Sequence, residues 1–167
     1  MSDEKFWNIV DETGSVESNL QRALESLPTD ELVAFQTTLD RKMAAAYSWD
    51  LWGAAFVIHG GASDDGFEYF RGWLVSRGRA TYEAALADPD SLAARIPADA
   101  AGALEFEEFG HIGFRVWTKR TGLGPKQFPN AVAARDEPSG KPFEEDEAEL
   151  SVRYPKLWVR FGDSPLG

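Results

Sequence analysis

The sequence predicts an all-α fold, a compact bundle of about six to eight helices with a proline-rich C-terminal arm. Three observations predict it. Apolar residues recur at three- and four-residue spacing in successive segments, no run alternates apolar and polar residues over the length of a strand, and the breaks between segments fall at Pro, Gly and Asp-rich turns. The chain has 167 residues, 43% hydrophobic and 27% charged, which suits one folded body and excludes wholesale disorder.

The segments follow in order. Asp3 to Asp11 forms a short helix with Phe6, Ile9 and Val10 on one face. Val16 to Leu27 forms a second, on the spacing of Val16, Leu20, Ala23, Leu24 and Leu27, and Pro28 stops it. Thr29 is placed as the N-cap of a third, with Asp30 and Glu31 in the first turn and Leu32, Phe35, Leu39, Met43, Ala46 and Tyr47 along one stripe to about Ser48. Trp49 to His59 is apolar nearly all round. Phe56-Val57-Ile58 would also suit a strand, but the alanines and the length favour a buried helix ended by Gly60-Gly61.

Asp65 and Glu68 stand at the spacing of an Asp capping box, opening a helix from Gly66 to about Ser76. It presents Phe67, Phe70 and Leu74 on one face and Tyr69 and Trp73 on another. A helix over Arg79 to Ala87, a short one at Leu92–Arg95 and a longer one from about Leu104 to Arg120 follow, the last ended by Gly122. Glu144 to Tyr154 forms one more before Pro155. Six of the nine prolines fall in the last 43 residues, so residues 1–124 read as the helical domain and 125–167 as an arm packed on it.

Composition narrows function further. With no cysteine, disulfides, thiolate metal sites and a Cys nucleophile are excluded. The 17 basic and 28 acidic side chains give a net charge of -11, which repels phosphate backbones and anionic lipid, so neither nucleic acid nor membrane is an expected partner. The polar, acidic N-terminus lacks the apolar core of a signal peptide, and the longest apolar stretch, Leu51 to Ile58, falls well short of the roughly 18 residues of a membrane span. A cytoplasmic protein is the simplest expectation.

Residues 47–78 carry a distinctive string, YSWDLWGAAFVIHGGASDDGFEYFRGWLVSRG. Its phrases Trp49 to Ala55, Ser63 to Phe67 and Tyr69 to Leu74 resemble a bacterial domain-of-unknown-function family, number four thousand two hundred and forty. Phe6-Trp7 and the segment from Ala84 to Ser91 look like the same family, and the likeness covers roughly residues 3–121. It implies no assigned reaction, cofactor or catalytic residue.

Candidate chemistry concentrates in that string. Asp64, Asp65, Glu68 and Arg71 form the richest polar cluster, bracketed by Trp49, Asp50, Trp52, Tyr69 and Trp73. Structurally, Asp65 caps its helix, worth about 1 kcal/mol, and Glu68 pairs with Arg71. Functionally, the same groups can make a carboxylate pocket floored by tryptophans, for a cation or a small polar ligand such as an amine or sugar. Three carboxylates within five residues attract a hard divalent cation, but the spacing is not that of an EF-hand, and no metal is expected. His59, at a helix C-terminus, is either a favourable cation there or an acid/base oriented by Asp64 or Asp65. His111 is assigned to packing or solvent.

Gly60-Gly61-Ala62-Ser63 precedes a helix, but the two aspartates at its start would repel a phosphate, and no P-loop, dinucleotide fingerprint, zinc-protease HExxH or serine elbow is present. No cofactor and no catalytic residue is therefore expected. The 13% aromatic content supplies a core, and part of it can line a docking groove. Two functions follow: a non-catalytic interaction or accessory protein that recognises a partner protein or peptide through an aromatic-acidic surface, or a small-molecule-binding protein or enzyme built on the Asp64, Asp65, Glu68 and Arg71 pocket.

Overall fold

A computed structural model describes residues 1–129, 132 and 136–167. The part of the proline-rich arm at residues 130, 131 and 133–135 lies outside the described residues. Among the described residues every regular element is a helix: α1 Asp3–Thr13, α2 Glu17–Ser26, α3 Thr29–Ala45, α4 Trp49–His59, α5 Asp64–Ser76, α6 Arg79–Ala87, a 3-10 helix Pro89–Ala94, α7 Glu107–Thr121, a 3-10 turn Pro125–Gln127, α8 Glu147–Arg153 and α9 Pro155–Phe161. None is long and apolar enough to cross a membrane.

Local chemistry sets most of these limits. Ser2 Oγ accepts from the Lys5 amide, 3.2 Å away, and starts α1. Ser48 Oγ does the same for the Leu51 amide at 3.2 Å and starts α4, which ends on Gly60 in the left-handed conformation with φ 72°. Thr29 is not the cap of α3. Pro28 holds the cap position in extended backbone and Thr29 is the first helical residue, so the threonine hydroxyl caps nothing there.

α2 and α3 pack on α7. Leu20 and Leu24 of α2, and Leu32, Phe35 and Leu39 of α3, are buried, as are Phe109, Ile112, Val116 and Trp117 of α7. Gln36 is a polar residue buried among them. Its Nε2 donates to the Gly110 carbonyl at 2.8 Å and its Oε1 accepts from the Phe114 amide at 3.2 Å, so both ends of the amide are satisfied. The absent side chain of Gly113 makes the room, since a Cβ there would meet Gln36 Oε1 at 2.6 Å.

The tail is part of this architecture. α9 has no cap of its own, and the buried carboxylate of Asp90 supplies one from the 3-10 helix. Its Oδ1 accepts from the Lys156 amide at 3.0 Å and the Leu157 amide at 2.9 Å. At the other end of α9, Arg160 donates to the carbonyls of Ala93 (2.6 Å), Ile96 (2.7 Å) and Pro97 (2.6 Å). A carboxylate at the positive end of α9 and a guanidinium on carbonyls at and beyond the end of the 3-10 helix clamp the two elements together. The very end returns to α4, where the Leu166 amide donates to the Ile58 carbonyl at 2.8 Å.

Candidate functional site

α4 and α5 meet through aromatic side chains. Trp49 stacks on Trp52 with centroids 5.2 Å apart, Trp52 on Phe67 at 4.9 Å, Phe67 on Phe70 at 6.4 Å and Phe70 on Trp73 at 5.3 Å. A column of five rings thus runs from half-buried Trp49 through fully buried Phe67 and Phe70 to Trp73. The Trp52 indole N–H donates to the Ala62 carbonyl at 2.9 Å, which ties the ring to the glycine turn between the helices. Offset stacking at these distances adds about 0.5–1.5 kcal/mol per pair beyond area burial.

The polar candidates do not share that interior. Ser63 caps α5, its Oγ accepting from the Gly66 amide at 3.1 Å. Asp64 and Asp65 therefore fall in the first turn, exposed, where they complement the helix dipole without capping. The capping serine stands one residue before the two aspartates, so the cap box expected on Asp65 and Glu68 is displaced. Glu68 is exposed beside them.

Arg71 turns the other way. Its Nη1 donates to the Met43 carbonyl at 2.9 Å, and its guanidinium carbon lies 4.7 Å from the Tyr47 ring centroid and 5.2 Å from that of Phe67. Burial lowers its pKa and the charge of Glu68 opposes that shift. Its cation is spent on aromatic faces and a backbone carbonyl. The four polar residues therefore do not converge on one cavity, and among the described residues no three His, Asp or Glu side chains gather as metal ligands.

Tyr69 is the exception that joins the acids. Partial desolvation raises its phenol pKa, as do the carboxylates of Glu107, Asp65 and Glu68 around it. Its carbonyl accepts from the Phe106 amide at 3.0 Å, which anchors the start of α7 beside the first half of α5 and brings Glu107 to the same face. Glu107 gave no signal in the sequence, because it is remote in the chain and opens a different helix.

His59 and Asp50 have structural partners. His59 is 9% exposed, its Nε2 accepts from the Leu104 amide at 3.0 Å, and burial pushes its pKa down to about 4. It is a neutral acceptor that pins the segment before α7, and nothing places it as an acid/base against Asp64 or Asp65. The Asp50 carboxylate pairs with Arg153, and its carbonyl accepts from the Tyr154 hydroxyl at 2.8 Å.

A shallow cleft of about 160 Å³ opens where the α1–α2 turn meets the α5–α6 turn, lined by Asp11, Ser15, Ser76 and Arg77 among others. Sequence reasoning gave no hint of it. Its polar groups answer one another: Arg77 Nη1 donates to Ser15 Oγ at 3.1 Å, Ser76 Oγ to the Trp73 carbonyl at 2.7 Å, and the Arg79 amide to Asp11 Oδ1 at 3.3 Å.

A family model described as Protein of unknown function (DUF4240) matches residues 1–119. No curated protein and no solved structure matches the chain. The matched region holds α1 to α6 and nearly all of α7, with the aromatic column and the acid-ringed tyrosine, while the tail that packs on α4 lies beyond it. The chain therefore belongs to the family of Protein of unknown function (DUF4240).

Proposed function

We propose that this protein is a non-catalytic interaction module of the cytoplasm that binds a cationic segment of a partner protein or peptide on the face formed by Asp64, Asp65, Glu68, Tyr69 and Glu107. One observation carries the reading: a half-buried tyrosine held among carboxylates from α5 and α7, with Arg71, the nearest cation on α5, withdrawn to the interior. Tyrosine offers a rigid amphipathic contact, and the unneutralised carboxylates around it favour lysine and arginine. The net charge of -11 steers cationic partners toward such a face and disfavours nucleic acid. The competing reading, a carboxylate pocket for a small polar ligand, has less support because Asp64, Asp65 and Glu68 are exposed and Arg71 donates to the Met43 carbonyl.

The test is a binding screen of the intact chain against an array of lysine- and arginine-rich peptides, repeated with the variant D64N/D65N/E68Q. Salt-sensitive binding that weakens about tenfold in the variant supports the proposal. Wild type and variant alike on every peptide would overturn it. A thermal shift of the wild type, absent in the variant, with an amine or sugar from a small-molecule panel would transfer the assignment to the ligand pocket.

A further inference from the structure

The backbone between α3 and α4 already holds an extended peptide, and that peptide is the protein's own. Ser139 pairs on both sides with this linker: its amide donates to the Tyr47 carbonyl at 3.0 Å, and its carbonyl accepts from the Trp49 amide at 2.9 Å. The result is an isolated parallel bridge between Ser48 and Ser139, while every regular element among the described residues is a helix. Four residues on, Phe143 sits edge-on to Trp49, with centroids 6.2 Å apart, and tilts against Phe56 at 5.4 Å. Arg153 holds the backbone in between, its Nη2 donating to the Lys141 carbonyl at 2.7 Å and its Nη1 to the Pro142 carbonyl at 3.1 Å. Pro138 and Pro142 lie immediately before the paired serine and the anchoring ring, where each fixes its own φ and favours extended backbone at the residue before it.

These are the elements of peptide recognition by strand addition: main-chain bonds for affinity and one aromatic in a seat for specificity. The strap lies at the surface. Residues 139–142 and 144 are exposed, Phe143 is half-buried, and the segment belongs to no helix. The seat beneath it is more permanent, because Trp49 is stacked on Trp52 and Ser48 caps α4. Local opening of such a strap costs far less than global unfolding.

We propose that the Tyr47–Trp49 edge with the Trp49/Phe56 seat is a second docking site, kept covered by residues 138–143. Its partner is an extended segment that presents a main-chain N–H and C=O to Tyr47 and Trp49 and a phenylalanine-sized ring four residues downstream. The strap is the in-chain competitor, and an incoming segment binds by displacing it. This site is separate from the acidic face around Tyr69 and does not rest on it. Either can fail without the other.

The test uses the full chain and a fluorescein-labelled synthetic peptide spanning residues 136–146. In the strap-release variant S139P/F143A the proline removes the N–H to Tyr47 and the alanine empties the seat. The variant is expected to bind the peptide at least about tenfold more tightly than the wild type, whose tethered strap competes at high effective concentration. A peptide carrying alanine in place of the phenylalanine is expected to bind neither. Equal affinity of variant and wild type, or equal binding of the two peptides, overturns the proposal. If the variant does not fold, amide hydrogen exchange on the wild type decides. Ser139 and Trp49 amides that exchange at least about a hundredfold faster than those of buried α4 support a strap that opens locally, and exchange only through global unfolding overturns it.

Discussion

Tyr154 fills the space that a side chain on Gly53 would need. The phenol of this tail residue lies over the backbone of α4, inside contact distance of where a Cβ on Gly53 would stand, and its hydroxyl donates to the Asp50 carbonyl one turn earlier at 2.8 Å. Burial raises the phenol's pKa, so it stays a proton donor throughout the neutral range. The glycine in the Trp-Asp-Leu-Trp-Gly phrase is thus the footprint of a residue about a hundred positions away.

Gly53→Ala is therefore expected to destabilise the protein by about 2 kcal/mol, although alanine is the better helix former, because overpacking at a fixed backbone outweighs propensity. Tyr154→Phe alone loses the bond to Asp50, about 1 kcal/mol. Urea unfolding of both variants and the double mutant is expected to show a loss smaller than the sum of the single losses. Strict additivity would mean that the two residues do not compete for the same space.

At the start of α5, Ser63→Ala is expected to cost about 1 kcal/mol, the usual loss for a serine cap. Asp65→Ala, exposed in the first turn, is expected to cost under about 0.5 kcal/mol from the dipole alone. A thermal-unfolding comparison that reversed this order would return the cap to Asp65.

Asp90 holds two amides of α9 through one buried carboxylate. Asp90→Ala leaves both donors without that partner and is expected to cost about 2 kcal/mol. The loss should be local. Amide exchange in α9 is expected to accelerate more than in α3, and equal acceleration in both would argue that the clamp serves the whole core instead.

His59 gives the protein an acid-sensitive contact. Its ordinary pKa of 6.5 falls to about 4 in the fold because burial disfavours the charged ring. The unfolded state thus binds the extra proton between these values, so folding stability is undiminished above pH 6.5 and declines as pH falls toward 4, by as much as about 3 kcal/mol from this group. Glutamine keeps an acceptor for the Leu104 amide and carries no titrating ring. The difference in urea midpoint between pH 7 and pH 4.5 is expected to be smaller in His59→Gln than in the wild type, and an unchanged difference would remove His59 from the acid response.

Elements with both ends marked locally were legible in the chain. α4 runs from Trp49 to His59 as its spacing predicts, because Ser48 caps its start and Gly60 its end, and α6 runs from Arg79 to Ala87 between Gly78 and the Asp88-Pro89 turn. α1 runs on to Thr13, where Gly14 at φ 60° ends it, and α7 starts only at Glu107, an end that no side-chain cap defines. α9 carries no such local mark. Pro155 stands as its first residue, where the ring is tolerated, and not as a breaker after α8. Its cap is Asp90, which no local pattern can reveal.

The candidate site divides in the same way. Sequence alone determined that the molecule is helical, cysteine-free and acidic, and that tryptophans and carboxylates crowd into residues 49–73, because hydrophobic period and charge are properties of neighbours along the chain. Tertiary structure decided which of those groups meet. The Met43 carbonyl and the Tyr47 ring draw Arg71 inward, Glu107 arrives from α7 to complete the ring of acids about Tyr69, and Phe143 returns from the tail to cover Trp49. Each of these contacts forms because a buried polar group or an aromatic face needs a partner, and the partner nearest in space is far away in sequence.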